Sequence, residues 1–259
     1  MKRSIILEKS RKLVTKLAAV AFWIGAWQLG SMAVGQEILL VSPVLACKTL
    51  VSMMGTSEFY VAVAGSFGRI LLGFAMAMLL GIALAALAKA SRVVRTLLAP
   101  LMSVIKATPV ASFVILALIW ISSTNLSVFI AFLMVLPIAY TNVLTGLDGA
   151  DPKLLEMARV FRMRRRDVAW AIYAPAAFPQ LLSAARLSLG MCWKAGIAAE
   201  VIAQPKQSIG SALQQAKLFF ATPELFAWTL AVILLSVAFE QLVLLAIGRW
   251  MRAWRGGVE

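Results

Sequence analysis

Five charged side chains lie inside long apolar stretches of this sequence, where a charge is costly. They are Lys106, Arg186, Lys194, Glu200 and Glu240. A charge at the centre of a membrane helix costs about 2.5–3.5 kcal/mol on insertion scales, so such residues are by default candidates for function. Arg186 and Lys194 are eight residues apart and fall near one face of a helix. A cationic stripe of this kind would suit an anionic solute, and we take Lys106, Arg186, Lys194 and Glu200 as candidate pathway residues.

Each of these charges also has a purely structural explanation. Lys194 could extend its ammonium group to the membrane surface, and Arg186 could pair with a carbonyl or a carboxylate. Glu200 is expected near the outer mouth of the membrane domain, where burial costs little, and Glu240 is expected to pair with a neighbouring span. The sequence leaves both explanations open.

Several kinds of chemistry are excluded by residues that the sequence lacks. It contains no histidine, which removes Ser-His-Asp catalysis and histidine-based metal sites. The dipeptide Gly-Lys never occurs, so the phosphate-binding loop of nucleotide hydrolases is missing. We therefore expect no catalytic residue, no metal site and no cofactor on this chain. Energy for any transport must come from another subunit or from an ion gradient.

The composition places these residues in a bilayer. Of the 259 residues 62% are hydrophobic and only 14% are charged, whereas soluble domains are about 45–50% apolar. The net charge of +14 is bunched between apolar stretches. That placement argues against a nucleic-acid partner and favours contact with membrane lipid.

Six apolar segments are long enough to form membrane spans, which need roughly 20 residues each. The uncharged run 107–147 is too long for one helix, and we divide it at the polar cluster Ser122–Asn125, which reads as a turn. The six predicted spans are Leu17–Gln36, Ile70–Ala88, Leu97–Ile121, Leu126–Leu147, Ala176–Val201 and Phe226–Gly248. The predicted fold class is an all-α membrane protein.

Basic residues give the predicted orientation. Four strongly basic segments alternate with three poorly basic ones, and the positive-inside rule puts the basic segments and both termini in the cytoplasm. The predicted divisions are a basic N-terminal segment 1–16, a first span with its external loop 17–55, a membrane domain 56–250 and a tail 251–259. Ser31-Met32-Ala33 would pass as a cleavage site, but the long, bulky apolar run suits a retained anchor better.

The segment Asp151–Ala174 reads as a structured loop. Asp151 suits a helix N-cap, and Pro152 suits the first helical position. Leu154, Leu155, Ala158 and Phe161 recur at helical spacing, and Glu156 complements the N-terminal end of the helix dipole. This short amphipathic helix could lie on anionic lipid or could dock into a groove of a cytosolic partner.

Four motifs resemble those of binding-protein-dependent ABC importer permeases of the nitrate, sulfonate and taurine branch. They are Leu154–Arg159 followed by Pro175 and Gly190, Ser66–Phe74, Pro100 and Pro109 followed by Leu116–Trp120, and Ala199-Glu200 followed by Ile209-Gly210. The resemblance covers roughly residues 60–250. The first motif resembles the family's EAA loop. Its position between predicted spans four and five supports the resemblance as much as its residues do.

The resemblance implies a pathway subunit that is not itself an enzyme. Two copies would form the pathway, an extracytoplasmic binding protein would deliver a small anion such as a sulfonate or nitrate, and ATP with Mg would act on separate cytosolic ATPases in a bacterial inner membrane. Asp151–Ala174 would be the coupling loop. The residues implied in ATPase coupling are Leu154, Leu155, Glu156, Ala158, Arg159, Phe161 and Arg162.

Two departures from the family pattern stand out. The family has glycine where this chain has Arg162, at a turn that costs arginine free energy if φ is positive. The family's Phe-Gly after the third span is replaced by Ile121-Ser122. An ion-coupled secondary transporter and a membrane scaffold that recruits a partner are the alternative functions. The former predicts internal repeats, and the sequence shows no convincing one.

Overall fold

The computed structural model describes the backbone of residues 2–255 and, within that range, the side chains of residues 14, 15, 18–243 and 245. Every regular element among the described residues is helical, so the all-α prediction is confirmed. The α-helices are α1 (Lys2–Val34), α2 (Pro43–Met53), α3 (Ser57–Ala90), α4 (Arg92–Ala107), α5 (Val110–Ala117), α6 (Ser123–Asp148), α7 (Pro152–Val160), α8 (Arg165–Val168), α9 (Ala174–Ala203), α10 (Ile209–Leu218) and α11 (Thr222–Arg255). A π-helical turn, Ala169–Tyr173, joins α8 to α9.

Four of the described helical segments are long and apolar enough to cross a membrane. They are Ser57–Ala90, Ser123–Asp148, Arg165–Ala203 and Thr222–Val243. They contain most or all of the second, fourth, fifth and sixth predicted spans. The second and fifth are longer than predicted, because their helices already begin at Ser57 and at Arg165.

The third predicted span, Leu97–Ile121, is not one helix. It forms α4 and α5, which are bent by 100° where Thr108 and Pro109 separate them. Proline has no N–H to continue the helix, and it forces the preceding residue towards an extended backbone. Thr108 accordingly has φ −79° and ψ 129°. The predicted turn at Ser122–Asn125 lies slightly earlier, because α6 already starts at Ser123.

The six-span count is not confirmed by the described residues. They contain four spanning helices, or five if the bent pair α4 and α5 is one broken span. The first predicted span, Leu17–Gln36, corresponds to the shorter apolar segment Ala18–Val34. Its side chains are mostly exposed within the chain.

The chain divides into two compact units. One unit comprises the described part of Met1–Phe59 together with Ala212–Val232. Within it, the Trp27 indole N–H donates to the Val41 carbonyl (2.9 Å), and its ring stacks on Phe226. The Thr222 hydroxyl donates to the Ile38 carbonyl (2.8 Å). These contacts fasten the segment after α1 to the start of α11.

The other unit comprises Tyr60–Ser211 and the described part of Ile233–Glu259. In this unit α6 packs against α9, and α3 approaches α6 through two glycines. A Cβ atom on Gly73 would lie 2.3 Å from the Val128 carbonyl oxygen, and one on Gly81 would lie 2.6 Å from the Ala139 Cβ. Small residues of this kind let membrane helices approach closely. The candidate residues all belong to this unit.

Candidate functional site

The loop Asp151–Ala174 begins with the helix that its sequence predicts. The Asp151 carboxylate accepts a hydrogen bond from the Lys153 N–H (2.9 Å), and Pro152 occupies the first position of α7. The carboxylate satisfies a backbone donor that a helix start leaves free, and proline has no donor to lose there. The predicted N-cap and helix are confirmed.

The two faces of α7 have different surroundings. Ala158 is buried and Leu155 partly buried, and both pack within the chain against Ala150 and Ile172. The outward face is apolar and exposed. It consists of Leu154, Met157, Val160 and Phe161, with exposed fractions of 43%, 44%, 78% and 74%. We call these four residues the outward ridge of α7.

The predicted apolar stripe is thus divided. Leu154 and Phe161 belong to the outward ridge, whereas Leu155 and Ala158 hold the helix onto its own chain. The predicted stripe does not include Met157 and Val160. Their spacing of three residues from Leu154 and from each other is the signal that could have found them. Glu156 and Arg159 are both exposed beside the ridge.

Helix α7 ends in a tight turn centred on Arg162. The Phe161 N–H donates to the Met157 carbonyl and the Met163 N–H to the Ala158 carbonyl, both at 2.9 Å. This pattern is a helix terminus in which the residue beyond the cap adopts the left-handed conformation. Arg162 has φ 48°, so arginine occupies a backbone conformation that glycine adopts more readily.

We expect Arg162→Gly to stabilise the isolated chain by about 1 kcal/mol, because glycine has no Cβ to strain at positive φ. Thermal unfolding in detergent would measure the change. Arg164→Gly is the matched control, since Arg164 has an ordinary φ of −65°. An equal or larger gain from the control would contradict the explanation by strain.

From Arg165 onward the loop continues into the membrane domain as helix. After residues 161–164, α8 leads through the π-helical turn Ala169–Tyr173 directly into α9. Single π-helical turns inside α-helices are frequent at functional sites. The helix from Arg165 to Ala203 is therefore continuous, and α7 is separated from it by residues 161–164.

A cavity of about 400 Å³ lies between α7 and this helix. Two arginines line it, Arg159 and Arg162, and both are exposed. The other lining residues include Leu155, Met163, Val168 and Tyr173. The cavity is basic on one side and apolar on the other.

Asp148, at the end of α6, gathers two cations close to the coupling loop. Its carboxylate pairs with Lys89 from the end of α3 and with Arg95 from α4, both at 2.9 Å. The Lys89 ammonium also lies 5.6 Å from the centre of the Tyr173 ring. Partly exposed pairs contribute about 0–1 kcal/mol each, so this cluster aligns helix ends more than it stabilises the fold.

Arg186 and Lys194 lie on one exposed face of α9, as their spacing predicts. Leu187 and Met191 are exposed between them, at 62% and 47%. Among the described side chains neither cation has an ion pair or a hydrogen bond, so the described residues contain no structural partner for Arg186. We call Arg186, Leu187, Met191 and Lys194 the α9 stripe.

Lys106 lies next to the break between α4 and α5. Its ammonium donates to the Thr141 hydroxyl on α6 (2.8 Å), and that hydroxyl in turn donates to the Pro137 carbonyl. The side chain remains exposed. The structure shows no contact between Lys106 and the two cations of the α9 stripe.

Glu200 is not at an exposed mouth, which corrects the expectation drawn from the sequence. Its side chain is 0% exposed and is held by three groups. Arg69 pairs with Oε1 at 3.0 Å, while the Ser66 hydroxyl (2.5 Å) and the Gly210 N–H (3.3 Å) donate to Oε2. The same Ser66 oxygen accepts from the Ile209 N–H (2.9 Å). In this structure Glu200 is a buried anchor and not a lining residue.

The Glu200 network joins two of the motifs quoted from the sequence. Ser66 and Arg69 come from α3, and Glu200 and Gly210 bracket the loop between α9 and α10. Arg69 also donates to the Gln207 carbonyl (3.2 Å), so it fixes that loop at a second point. The predicted partner for Glu240 is not observed among the described residues.

Comparison with known proteins agrees with this architecture. Residues 77–253 match the family described as binding-protein-dependent transport system inner membrane component. The taurine transport system permease protein of Escherichia coli is 27% identical over 258 residues, which cover 96% of this chain and 93% of that protein. The nitrate import permease protein of Synechocystis is 24% identical over 203 residues, covering 74% and 73%.

A solved structure has a similar fold. The crystal structure of an amino acid ABC transporter with histidines matches with a TM-score of 0.59 and 18% identity, over 77% of this chain and 98% of that one. At that identity the match concerns the fold alone. The family match covers most of the chain, and the match to each named permease covers more than two thirds of both proteins. The chain is therefore a multi-pass membrane protein of the family of binding-protein-dependent transport system inner membrane components.

Proposed function

We propose that this chain is the permease subunit of an ATP-driven importer and that α7 couples it to a separate ATPase. The observation that carries the proposal is the outward ridge of α7, an exposed apolar face at the position of the family's coupling loop. An amphipathic helix with such a face suits a groove on a protein partner. Its inner residues, Leu155 and Ala158, pack it onto its own chain, so a force on the ridge would act on the chain that holds α7.

The proposed assembly has two copies of this chain, two cytosolic ATPases and an extracytoplasmic binding protein. Both termini would be cytoplasmic, since the basic segments follow the positive-inside rule. ATP-driven closure of the ATPases would move each coupling loop and, through the continuous helix after Arg164, the rest of α9. This movement would switch the pathway between its inward-facing and outward-facing states.

The proposed substrate is a small anion. Two exposed cations, Arg186 and Lys194, lie on the α9 stripe without a described partner. An unpaired cation in a membrane domain is best accommodated where it faces water or an anionic solute. The names of the relatives point in the same direction, since taurine carries a sulfonate group and nitrate is an anion.

We expect Glu156→Lys to abolish ATP-driven uptake and to weaken co-purification of the ATPase, because it reverses a charge beside the outward ridge. Asp167→Lys is the matched control: it makes the same charge change on the same loop, at an exposed residue of α8. The measurements are pull-down of the ATPase and uptake of labelled taurine and nitrate into vesicles that carry the whole assembly.

The outcomes separate the parts of the proposal. If the native chain co-purified with no ATPase, or if Glu156→Lys changed uptake no more than Asp167→Lys, the coupling role would be wrong. If the native assembly took up neither taurine nor nitrate and instead took up a solute without an anionic group, the proposed substrate class would be wrong and the importer role would stand.

A further inference from the structure

The cavity beside α7 holds two positive charges that the chain itself does not neutralise. Arg159 and Arg162 line it, and among the described side chains neither forms an ion pair or a hydrogen bond through its guanidinium group. The nearby carboxylate of Asp148 already pairs with Lys89 and Arg95. An anion from outside this chain is therefore the fitting occupant.

Two local irregularities of the backbone border the same cavity. Arg162 lies at φ 48°, a conformation that favours glycine, and Tyr173 ends the π-helical turn. Strained backbone that persists in a folded protein often marks a functional site. Arginine at position 162 carries a conformational cost that a glycine would avoid.

The charge of the loop indicates the charge that a partner should carry. Residues 151–168 carry six basic side chains and three acidic ones, a net charge of +3. One of the three acids, Asp151, is occupied as the N-cap of α7. A protein surface that docks here must bring negative charge, and two neighbouring guanidinium groups bind a carboxylate through short, paired hydrogen bonds.

We propose that the cavity receives the carboxylate of an aspartate or glutamate from the ATPase, inserted between Arg159 and Arg162. This inference rests on the proposed docking of α7 and names the chemistry of its partner. Leu155, Met163 and Val168 supply apolar walls for the stem of that side chain. The carboxylate would be largely desolvated there, which strengthens its attraction to both guanidinium groups.

The cavity and the outward ridge then have separate tasks. The ridge supplies apolar contact area, which many grooves of suitable shape would accept. The cavity adds a charge requirement. An ATPase without a correctly placed carboxylate would cover both arginines, which are exposed in the free chain, without giving them a partner. The Arg159–Arg162 pair therefore selects the cognate ATPase from others with a similar groove.

The test is the affinity of the purified full-length chain, in detergent, for the ATPase identified by co-purification. We expect Arg159→Glu with Arg162→Glu to weaken binding at least 10-fold. The matched control is Arg164→Glu with Arg166→Glu, which makes the same charge change on exposed arginines that do not line the cavity. A milder variant, Arg159→Gln with Arg162→Gln, should also weaken binding and tests the proposal if the reversal unfolds the chain.

Charge rescue identifies the occupant. One Asp→Arg or Glu→Arg change on the docking face of the ATPase should restore at least part of the affinity lost by the reversal. Equal losses in the test and control variants, or no rescue by any acidic position, would overturn the inference. Competition by inorganic phosphate or by phosphatidylglycerol vesicles without rescue would assign the cavity to a phosphate group instead, which also overturns it. If Glu156→Lys abolishes docking while these reversals match their control, the docking stands and only the charge selection fails.

Discussion

Glu200→Ala is expected to destabilise the membrane domain by about 3–5 kcal/mol, since removing one partner of a buried ion pair leaves the other charge uncompensated. The stranded charge is Arg69, whose side chain is only 15% exposed. The Ser66 hydroxyl and the Gly210 N–H lose their acceptor at the same time. Thermal unfolding in detergent, with the yield of monodisperse protein, would measure the loss.

Glu240→Ala is the control for Glu200→Ala. Glu240 belongs to the same unit, is partly buried and has no ion pair among the described residues. A double replacement, Arg69→Met with Glu200→Met, should recover much of the stability, because a well-packed apolar pair can substitute for a buried ion pair. Equal losses from Glu200→Ala and Glu240→Ala would show that the network does not hold the fold.

Gly73→Leu is expected to lower stability by roughly 3 kcal/mol, because overpacking a tight contact between helices forces backbone and side chains apart. The obstacle is backbone, since a Cβ at this position would lie 2.3 Å from the Val128 carbonyl oxygen and 3.1 Å from the Phe132 nitrogen. A rotamer change elsewhere cannot relieve that clash. Helices α3 and α6 would have to separate.

Gly68→Leu provides a control on the same helix. An added Cβ at Gly68 would meet nothing within 4 Å, and leucine is a better helix former than glycine by about 0.8 kcal/mol. The control variant should therefore unfold at the same temperature as the native chain or higher. A matching loss at both positions would mean that the glycines of α3 matter for something other than close approach.

Much of the fold could be predicted from local sequence. The length of the apolar runs predicts the helices that contain the second, fourth, fifth and sixth predicted spans. The residues Asp151-Pro152 predict the start of α7. These features depend on hydrophobicity and on capping, which neighbouring residues determine. The bend of 100° at Thr108-Pro109 depends on more, because Val114 and Ala117 of α5 pack against Leu126 and Ile130 of α6.

The candidate site was harder to predict, because its contacts join distant parts of the chain. Arg69 and Glu200 are 131 positions apart, so a local pattern shows each only as an isolated charge. From local sequence alone, Glu200 near the end of a predicted span is therefore expected at the outer mouth of the membrane domain. Similarly, the sequence predicts a single apolar stripe on α7. The packing of Leu155 and Ala158 against Ala150 and Ile172 shows which residues of that stripe face inward.

The π-helical turn Ala169–Tyr173 has a geometrical consequence for how this protein can evolve. A π turn holds one residue more than an α turn, and each residue of an α-helix advances the rotation by about 100°. Losing that extra residue here would restore an ordinary α-helix and leave Arg186 and Lys194 in nearly the same angular position. Losing one residue from the α-helical part of α9 before Arg186 would instead rotate both side chains by roughly that angle. The stretch Ala169–Tyr173 can therefore lose one residue without turning the exposed face of α9, whereas the part of α9 that precedes Arg186 cannot.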